Sequence, residues 1–558
     1  MSAPATMAQA VRDRENDDSL GLIAGDLRLS HAEVVSRAAQ RAAWLRANRV
    51  PGPFHVAVLL DNVPEFIYWL EAAALAGAVV VGANSTHRGD ELTRDLTHTQ
   101  CQLLVTDSVS LPLVEGLTMG PSLGTVTTDS PRALVLDTPT AHATLHPFAG
   151  ATPADVADDS VTPATLGYLL FTSGTSGAPK ACLCSQGRMA GIGDSLAQRY
   201  SLSTDDVCYL AMPLFHSNAL MAGWAPALVG TSAAALPAAR RFSASGFLPD
   251  VRAAGATYFN YVGKPLAYIL ATPEQPDDAD NPLTRVFGNE GSADDVTRFA
   301  TRFGVPVTDA YGSTEGGATV ARTPDSPPGA LGRAPEGTVV LNAETGQECP
   351  PAQFDAQGRL LNAEAAIGEL VSKTGGAGFE GYWRNDEAET ARLRQGWYWT
   401  GDLAYRDEAG FFYFAGRDHD WLRVDGENFA SAPIERILQR HPDVALAVVY
   451  AVPDPVVGDQ VMAAVQLRPG VDALHPGELA AFLAAQSDLG TKWAPRFVRM
   501  TGALPLTATN KVIKRELRAE RWNCTEPVLW QPAKGSAYEI LSEADAVSLE
   551  SAVGDRVL

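Results

Sequence analysis

Cysteine is scarce in this sequence, six in 558 residues (Cys101, Cys182, Cys184, Cys208, Cys349 and Cys524), with no CxxC pair and no histidine spaced to complete a zinc set. That excludes a disulfide-framed scaffold and a zinc ribbon, and it predicts reduced, mostly buried thiols in a cytosol-like compartment. Positive charge is also in short supply. Lys+Arg number 43 against 65 Asp+Glu, a formal net charge of -22 that repels nucleic acid and the anionic leaflet of a membrane. A polyanionic small molecule would therefore need a local cationic pocket. Clean membrane-length apolar runs are lacking. The uncharged stretch Leu220 to Ala239 is interrupted by Gly223, Pro226, Gly230, Thr231, Ser232 and Pro237, so it predicts a buried helix followed by a strand. The opening MSAPATMAQAVRDREND has no apolar core of a secretory signal, and the expected location is cytoplasmic. A homodimer and peripheral membrane contact through a local patch both stay open.

What is present points to several domains. A chain of 558 residues exceeds the size at which one core keeps growing, and 46% hydrophobic residues suffice for more than one. After a polar start, Val56 to Leu60 reads as a strand, Pro64 to Ala76 as a helix and Ala78 to Val81 as a strand, followed by a helix from Gly89 and a strand at Leu103 to Val105. Such alternation predicts a parallel sheet covered on both faces. Ser110 to Thr162, rich in Pro, Thr, Ser and Asp, reads as irregular connection before the sheet resumes at the Tyr168 strand. Between Ser185 and Asp309 the rhythm returns. Strands at Val207 to Ala211, Ala233 to Leu236, Thr257 to Phe259 and Arg285 to Phe287, with helices after Ser185, after Leu220 and from Ser243, predict a second doubly wound sheet. Gly329 to Gly416 switches to period-two segments such as GELVSK and FFYFAGR, which predict an antiparallel β subdomain. The fold class expected is α/β. Two doubly wound sheets plus a β subdomain would occupy 1–416, a small α+β domain 417–525, and an acidic, partly ordered tail 526–558.

One stretch carries chemistry on its face. The apolar Leu166, Tyr168, Leu169, Leu170 and Phe171 run into Thr172, Ser173, Gly174, Thr175, Ser176 and Gly177, ahead of Lys180. Glycines let backbone approach an anion, hydroxyls and N–H groups donate to its oxygens, and a lysine adds a point charge. This is not a Walker loop, since Gly174 and Gly177 precede a lysine followed by Ala181. By itself the loop reads equally as a surface turn, because the same residues make turns. Further strings lie downstream: PLFHS at Pro213 to Ser217, AYGSTEG at Ala310 to Gly316, WYWTGD at Trp397 to Asp402, GRDHDWLRVDGENFASAPIE at Gly416 to Glu435 and LPLTATNK at Leu504 to Lys511.

In that order and at those intervals the strings resemble the adenylate-forming enzymes, the superfamily of acyl-CoA synthetases, luciferases and adenylation domains, over about Val56 to Leu517. WLRVDGENFASAPIE and FNYVGKPLAYIL resemble the fatty-acid transport protein branch, the very-long-chain acyl-CoA synthetases. The resemblance implies an ATP-dependent, AMP-forming ligase that converts a hydrophobic acid to its coenzyme A thioester through an acyl-adenylate, with Mg2+ and a mobile C-terminal domain. It places Thr172 to Gly177 and Lys180 at the β- and γ-phosphates. Gly288, Asn289, Glu290, Tyr311, Gly312 and Ser313 fall around the nucleotide, with Tyr311 against adenine and Asp402 and Arg417 at the ribose. Thr314 and Glu315 fall at the α-phosphate, Glu315 as the metal ligand. His216 stands at the carboxylate entrance, and Lys511 between carboxylate and phosphate. Asp418 would be the hinge, Arg423, Gly426 and Glu427 the coenzyme A side, and Leu220, Met221, Trp224 and Tyr261 the acyl pocket. Singly, these residues have plainer readings: Tyr311 in a core, Asp402 capping a turn, His216 in packing, Lys511 on a solvated face. Two positions depart from the family pattern, Arg423 for a lysine and Asn510 for a glycine, and Arg423 bears on coenzyme A contacts. Rival readings are an acyl-AMP ligase loading a carrier protein and a catalytically dead lipid-binding or uptake protein. Whether the acid is a fatty acid or a steroid side-chain acid is not written in these motifs.

Overall fold

The computed structural model describes residues 3–172, 180–291, 293–323, 325–355, 360–374, 378–417, 421–424, 427–454, 458–486, 489–490, 493–506, 512–533 and 535–554. It packs as two units, Met1–Thr319 with Ala377–Ala391, and Val320–Gly376 with Arg392–Leu558.

The first unit contains two sheets. One has six strands in the order Ala133–Val135, Leu103–Thr106, His55–Leu59, Val79–Gly82, Leu166–Thr172 and Lys180–Ser185, parallel except for the last pair. Pro64–Ala76 forms the expected helix, apolar on nearly every side and buried accordingly, and Gly77 ends it at φ 64. Ser110 to Thr162 corrects the expectation of irregular connection. It supplies the edge strand Ala133–Val135 and a helix at Pro139–Leu145 capped by Thr138. A three-residue strand is too short for alternation to show in sequence. The strand Lys180–Ser185 also went unread, so the small-residue loop closes an antiparallel hairpin.

The second sheet has eight strands, with Tyr258–Val262, Arg285–Asn289 and Val307–Gly312 running parallel to one another. The polar start contributes to it. Leu20–Ala24 pairs parallel with Ala233–Leu236, Leu27–Ser30 forms the edge, and Ser30 with Glu33 makes a capping box for the helix His31–Asn48. That helix buries Val34, Val35, Ala38, Ala39, Ala42, Trp44 and Leu45, a face whose three alanines and neighbouring buried Arg41 leave little hydrophobic contrast. The run from Leu220 becomes a π-helix Leu220–Trp224, a helix Ala225–Val229 and the strand Ala233–Leu236. Among the described residues no helix is long and apolar enough to cross a membrane. All six cysteines are free thiols and five are buried.

In the second unit, Thr338–Leu341, Gly368–Ser372, Trp397–Arg406, Leu393–Arg394 and Phe412–Arg417 form the antiparallel sheet that period-two alternation predicted. A seven-stranded sheet holds the later residues, with Val444–Asp454, Gly458–Leu467 and Phe497–Thr501 among its strands. The residues after Glu526 are not merely a tail. Val528–Trp530 and Glu539–Ile540 extend this sheet, Trp530 stacks on Phe497, and Tyr538 is buried with its hydroxyl on the Pro495 carbonyl. The polar average of the segment hides the apolar triplet Val528, Leu529 and Trp530 that pays for the pairing.

Candidate active site

The hairpin brings Thr172 and Lys180 opposite each other at its loop end. They bracket the loop, whose Ser173, Gly174, Thr175, Ser176 and Gly177 lie outside the described residues. Both bracketing residues are half-buried.

Tyr311 and Gly312 end the strand Val307–Gly312, and a tight turn follows in which the Gly316 amide donates to the Ser313 carbonyl at 3.0 Å. Gly316 sits at φ 73, and a Cβ there would overlap the Arg188 guanidinium. Arg188 donates to the Thr314 carbonyl at 2.6 Å, and the Thr314 hydroxyl lies 2.6 Å from that of Ser217. Thr314 is therefore held at both its backbone and its side chain.

Glu315 is buried, and its Oε1 accepts from the Tyr382 hydroxyl at 2.9 Å. Tyr382 arrives through a bridge to Cys182, flanked by amide bonds from Leu183 to Gly381 and from Trp383 to Ala181. A neutral phenol orients the carboxylate without placing a positive charge at that oxygen. The same segment carries Glu380, which accepts from the amide and hydroxyl of Ser185, each at 2.6 Å. Ser185 caps the helix Gln186–Arg199 that supports Arg188. Among the described residues no cluster of three or more His, Cys, Asp or Glu could hold a metal. A single buried carboxylate suits a hard cation such as Mg2+ that takes most of its ligands from nucleotide oxygens and water.

His216 caps the short helix Ser217–Ala219, and its Nδ1 accepts the Asn218 amide at 3.3 Å, which leaves Nε2 to carry the ring proton. Asn218 Nδ2 donates to the Tyr261 carbonyl at 3.2 Å and to Asn289 Oδ1 at 3.4 Å, and Asn289 Nδ2 donates to the Ala310 carbonyl at 2.6 Å. These bonds lace His216 to the carboxyl ends of three parallel strands, the place where open α/β sheets bind ligands. Gly288 pairs in register with Tyr261, and a Cβ there would overlap the Tyr261 ring. The Tyr261 hydroxyl donates to Asp309 Oδ2 at 2.6 Å, and burial first, then the Asp309 charge, pushes the phenol pKa far up. Glu290 follows at φ 66, a left-handed geometry costly for a non-glycine residue. All four residues assigned to the acyl chain, Leu220, Met221, Trp224 and Tyr261, are buried within the unit, Met221 the least so at 9% exposure.

In the second unit, Asp402 stands opposite Arg417 across an antiparallel pair. Gly401 precedes it at φ 69, with its amide on Glu369 Oε1 at 2.7 Å, and the Asp402 amide donates to Thr400 Oγ1 at 3.0 Å. Arg423 lies on the strand Trp421–Val424 and Glu427 begins the strand Glu427–Ala430. Asp418, Gly426 and Lys511 lie outside the described residues.

Sequence reasoning gave no role to Ser217, although it ends the PLFHS string, and missed Asn218, Arg188, Glu380 and Tyr382. Ser217 and Asn218 adjoin His216 and were within reach of the PLFHS string. Arg188 and Tyr382 meet partners 126 and 67 residues away, and no local pattern announces such pairs.

Comparison with known proteins gives three findings. The AMP-binding enzyme family matches residues 8–383, and the AMP-binding enzyme C-terminal domain matches 433–511. Steroid-22-oyl-CoA synthetase from Rhodococcus jostii (strain RHA1) is 50% identical over 547 residues, covering 98% of this chain and 96% of that protein. A medium/long-chain-fatty-acid–CoA ligase from Mycobacterium tuberculosis (strain ATCC 25618 / H37Rv) is 48% identical over 512 residues, covering 92% and 95%. Among solved structures, ATP-bound MatB from Rhodopseudomonas palustris matches with a TM-score of 0.78 at 25% identity, over 92% of this chain and 98% of that one. With the turn at Thr314 and Glu315 built as described and both domains matched, this chain belongs to the AMP-binding enzyme family, the adenylate-forming enzymes.

Proposed function

We propose that this chain joins a hydrophobic carboxylic acid to coenzyme A, with ATP cleaved to AMP and pyrophosphate. The acid carboxylate attacks the α-phosphorus of ATP, pyrophosphate leaves, and the mixed anhydride is then opened by the coenzyme A thiol with AMP as leaving group. The observation that carries this reading is the clamped pair on one turn, Thr314 tied to Ser217 and Arg188, and Glu315 tied to Tyr382. Fixed donors and a fixed carboxylate need no reorganisation as charge shifts at phosphorus. Mg2+, when bound at Glu315, would offset the charge on the phosphates.

The remaining roles are assigned by the family pattern. Thr172 to Gly177 with Lys180 hold the outer phosphates, Tyr311 lies against adenine, and Asp402 and Arg417 take the ribose. His216 Nε2 faces the incoming carboxylate. Lys511, on the 417–525 domain, bridges carboxylate and α-phosphate, Asp418 is the hinge, and Arg423, Gly426 and Glu427 serve the thiol side. The acid is a large apolar body ending in a carboxylate, the chemistry shared by the two relatives' named substrates. Its body lies against Leu220, Met221, Trp224 and Tyr261, of which Met221 is the least buried.

The test is pyrophosphate release from ATP and Mg2+ against a panel of fatty acids and steroid side-chain acids, with and without coenzyme A. Thiol-dependent turnover with acyl-CoA on mass spectrometry is expected, and the panel ranks the substrates. Adenylate that accumulates and never becomes thioester would identify a carrier-loading ligase, and silence with acid still bound would identify a binding protein.

A further inference from the structure

Against the turn Leu220–Trp224 lies a cavity of about 10 Å3, room for one water-sized sphere. Four polar atoms among its lining residues are buried and have no hydrogen-bond partner among the described residues: His31 Nε2, Glu71 Oε2, Trp224 Nε1 and Ser232 Oγ. They come from separate stretches, the helices His31–Asn48 and Pro64–Ala76, the π-helix Leu220–Trp224, and the residue before the strand Ala233–Leu236. The indole N–H of Trp224 is near enough to Glu71 to favour its carboxylate, yet neither atom completes a direct bond. Beside them Thr231 is held at φ 63, a strained geometry for a β-branched residue, with its carbonyl facing the His31 ring. An indole donor, a hydroxyl, an imidazole nitrogen and a carboxyl oxygen on the residues that line a one-water space match the two donors and two acceptors of water.

We propose that this cavity binds one internal water molecule joining Glu71 to Trp224, and that Glu71 is thereby a positioning residue for the turn Leu220–Trp224 and for the acid that meets it. The functional half rests on the reading that this turn contacts the acid. π-Helical turns give up the regular i→i+4 ladder and concentrate at functional sites, so contacts from outside the turn decide where it sits.

The bridge depends on protonation. Burial pushes the Glu71 carboxyl up to about 8, so at neutral pH it is a hydrogen-bond donor. The groups facing it titrate elsewhere. Burial lowers His31, which has Asp17 and Arg14 behind it, and raises Tyr168, whose hydroxyl is also buried without a partner. Tyr68 on the same helix as Glu71 is raised to about 12. Across the cavity wall, Cys208 faces Ser232 and is also raised by burial. Ionising Glu71 removes its proton from the bridge and leaves a buried charge beside Trp224.

The experiment compares wild type, Glu71→Gln and Glu71→Leu. It measures acid and ATP saturation of pyrophosphate release at saturating coenzyme A from about pH 6 to 9.5, and urea unfolding over the same range. In the wild type the acid KM rises roughly fivefold or more above about pH 8 while the ATP KM stays level, and the Gln variant removes that rise. The Leu variant raises the acid KM roughly fivefold at neutral pH and spares the ATP KM. Superimposable acid KM profiles for wild type and Gln, or a Leu variant with wild-type acid KM, overturn the positioning role. If no acid is turned over, the proposed function has failed, and the site is then judged by two readouts that need no activity. Unfolding curves for wild type and Gln that diverge with pH, with an ordered water on Glu71 in a crystal structure, support it. Parallel curves or a dry cavity reject it.

Discussion

Glu315 shows how one hydrogen bond sets up a site. Tyr382 holds one carboxylate oxygen at 2.9 Å, which fixes where the other can point. Tyr382→Phe removes a bond worth about 0.5–1.5 kcal/mol, so the Mg2+ concentration for half-maximal pyrophosphate release should rise about twofold to twelvefold with the fold intact. Glu315→Gln should raise it further, and metal titrations unchanged in both variants would take the pair out of the cation site. Glu71 makes a stability prediction at the same scale. Its carboxyl is raised from 4.5 to about 8 in the folded state, so between those values the unfolded chain binds fewer protons and stability falls as pH rises. The contribution is fully present below about pH 4.5, and its loss amounts to at most about 5 kcal/mol by pH 8 at 1.36 kcal/mol per unit. Glu71→Gln should flatten that slope in urea unfolding.

At the scale of elements, the strand pair Tyr258–Val262 and Arg285–Asn289 is closed by Gly288 beneath the Tyr261 ring. Gly288→Ala should cost about 1–3 kcal/mol in urea unfolding by displacing that ring, and should disturb the Asn218 bond to the Tyr261 carbonyl that steadies His216. A variant with wild-type stability would mean the strands can part locally. The helix Gln186–Arg199 is the second lever. Ser185→Ala removes its cap and a partner of Glu380 together, and should cost about 1–2 kcal/mol while lowering turnover through Arg188 and Thr314. Full turnover in that variant would show that the Thr314 clamp does not depend on the cap.

For the whole molecule, two half-reactions served by one chain predict separable defects. Lys511→Ala should lower pyrophosphate release by roughly 100-fold or more while sparing thioester formation from supplied acyl-adenylate. Equal loss in both would reject the assignment of Lys511 to the first step alone. A net charge of -22 bears on the same question, because an anionic nucleotide has to bind against the overall field. Added salt should therefore weaken nucleotide binding only modestly.

The sequence by itself determined the reaction family and most of the secondary structure, because both are written locally. The strings at Thr172 to Lys180, Pro213 to Ser217 and Ala310 to Gly316 are contiguous, and the Pro64–Ala76 helix and the Ala233–Leu236 strand follow from short-range periodicity. The buried face of His31–Asn48, the three-residue strand Ala133–Val135 and the sheet extension at Val528–Trp530 were hidden, each giving too little contrast or too short a run. The clamp on Thr314 and Glu315 was decided by tertiary structure alone. Arg188, Ser217 and Tyr382 reach it from three distant segments, and the cavity at Glu71 and Trp224 likewise draws on four stretches, since only the folded sheet brings such residues within hydrogen-bond range.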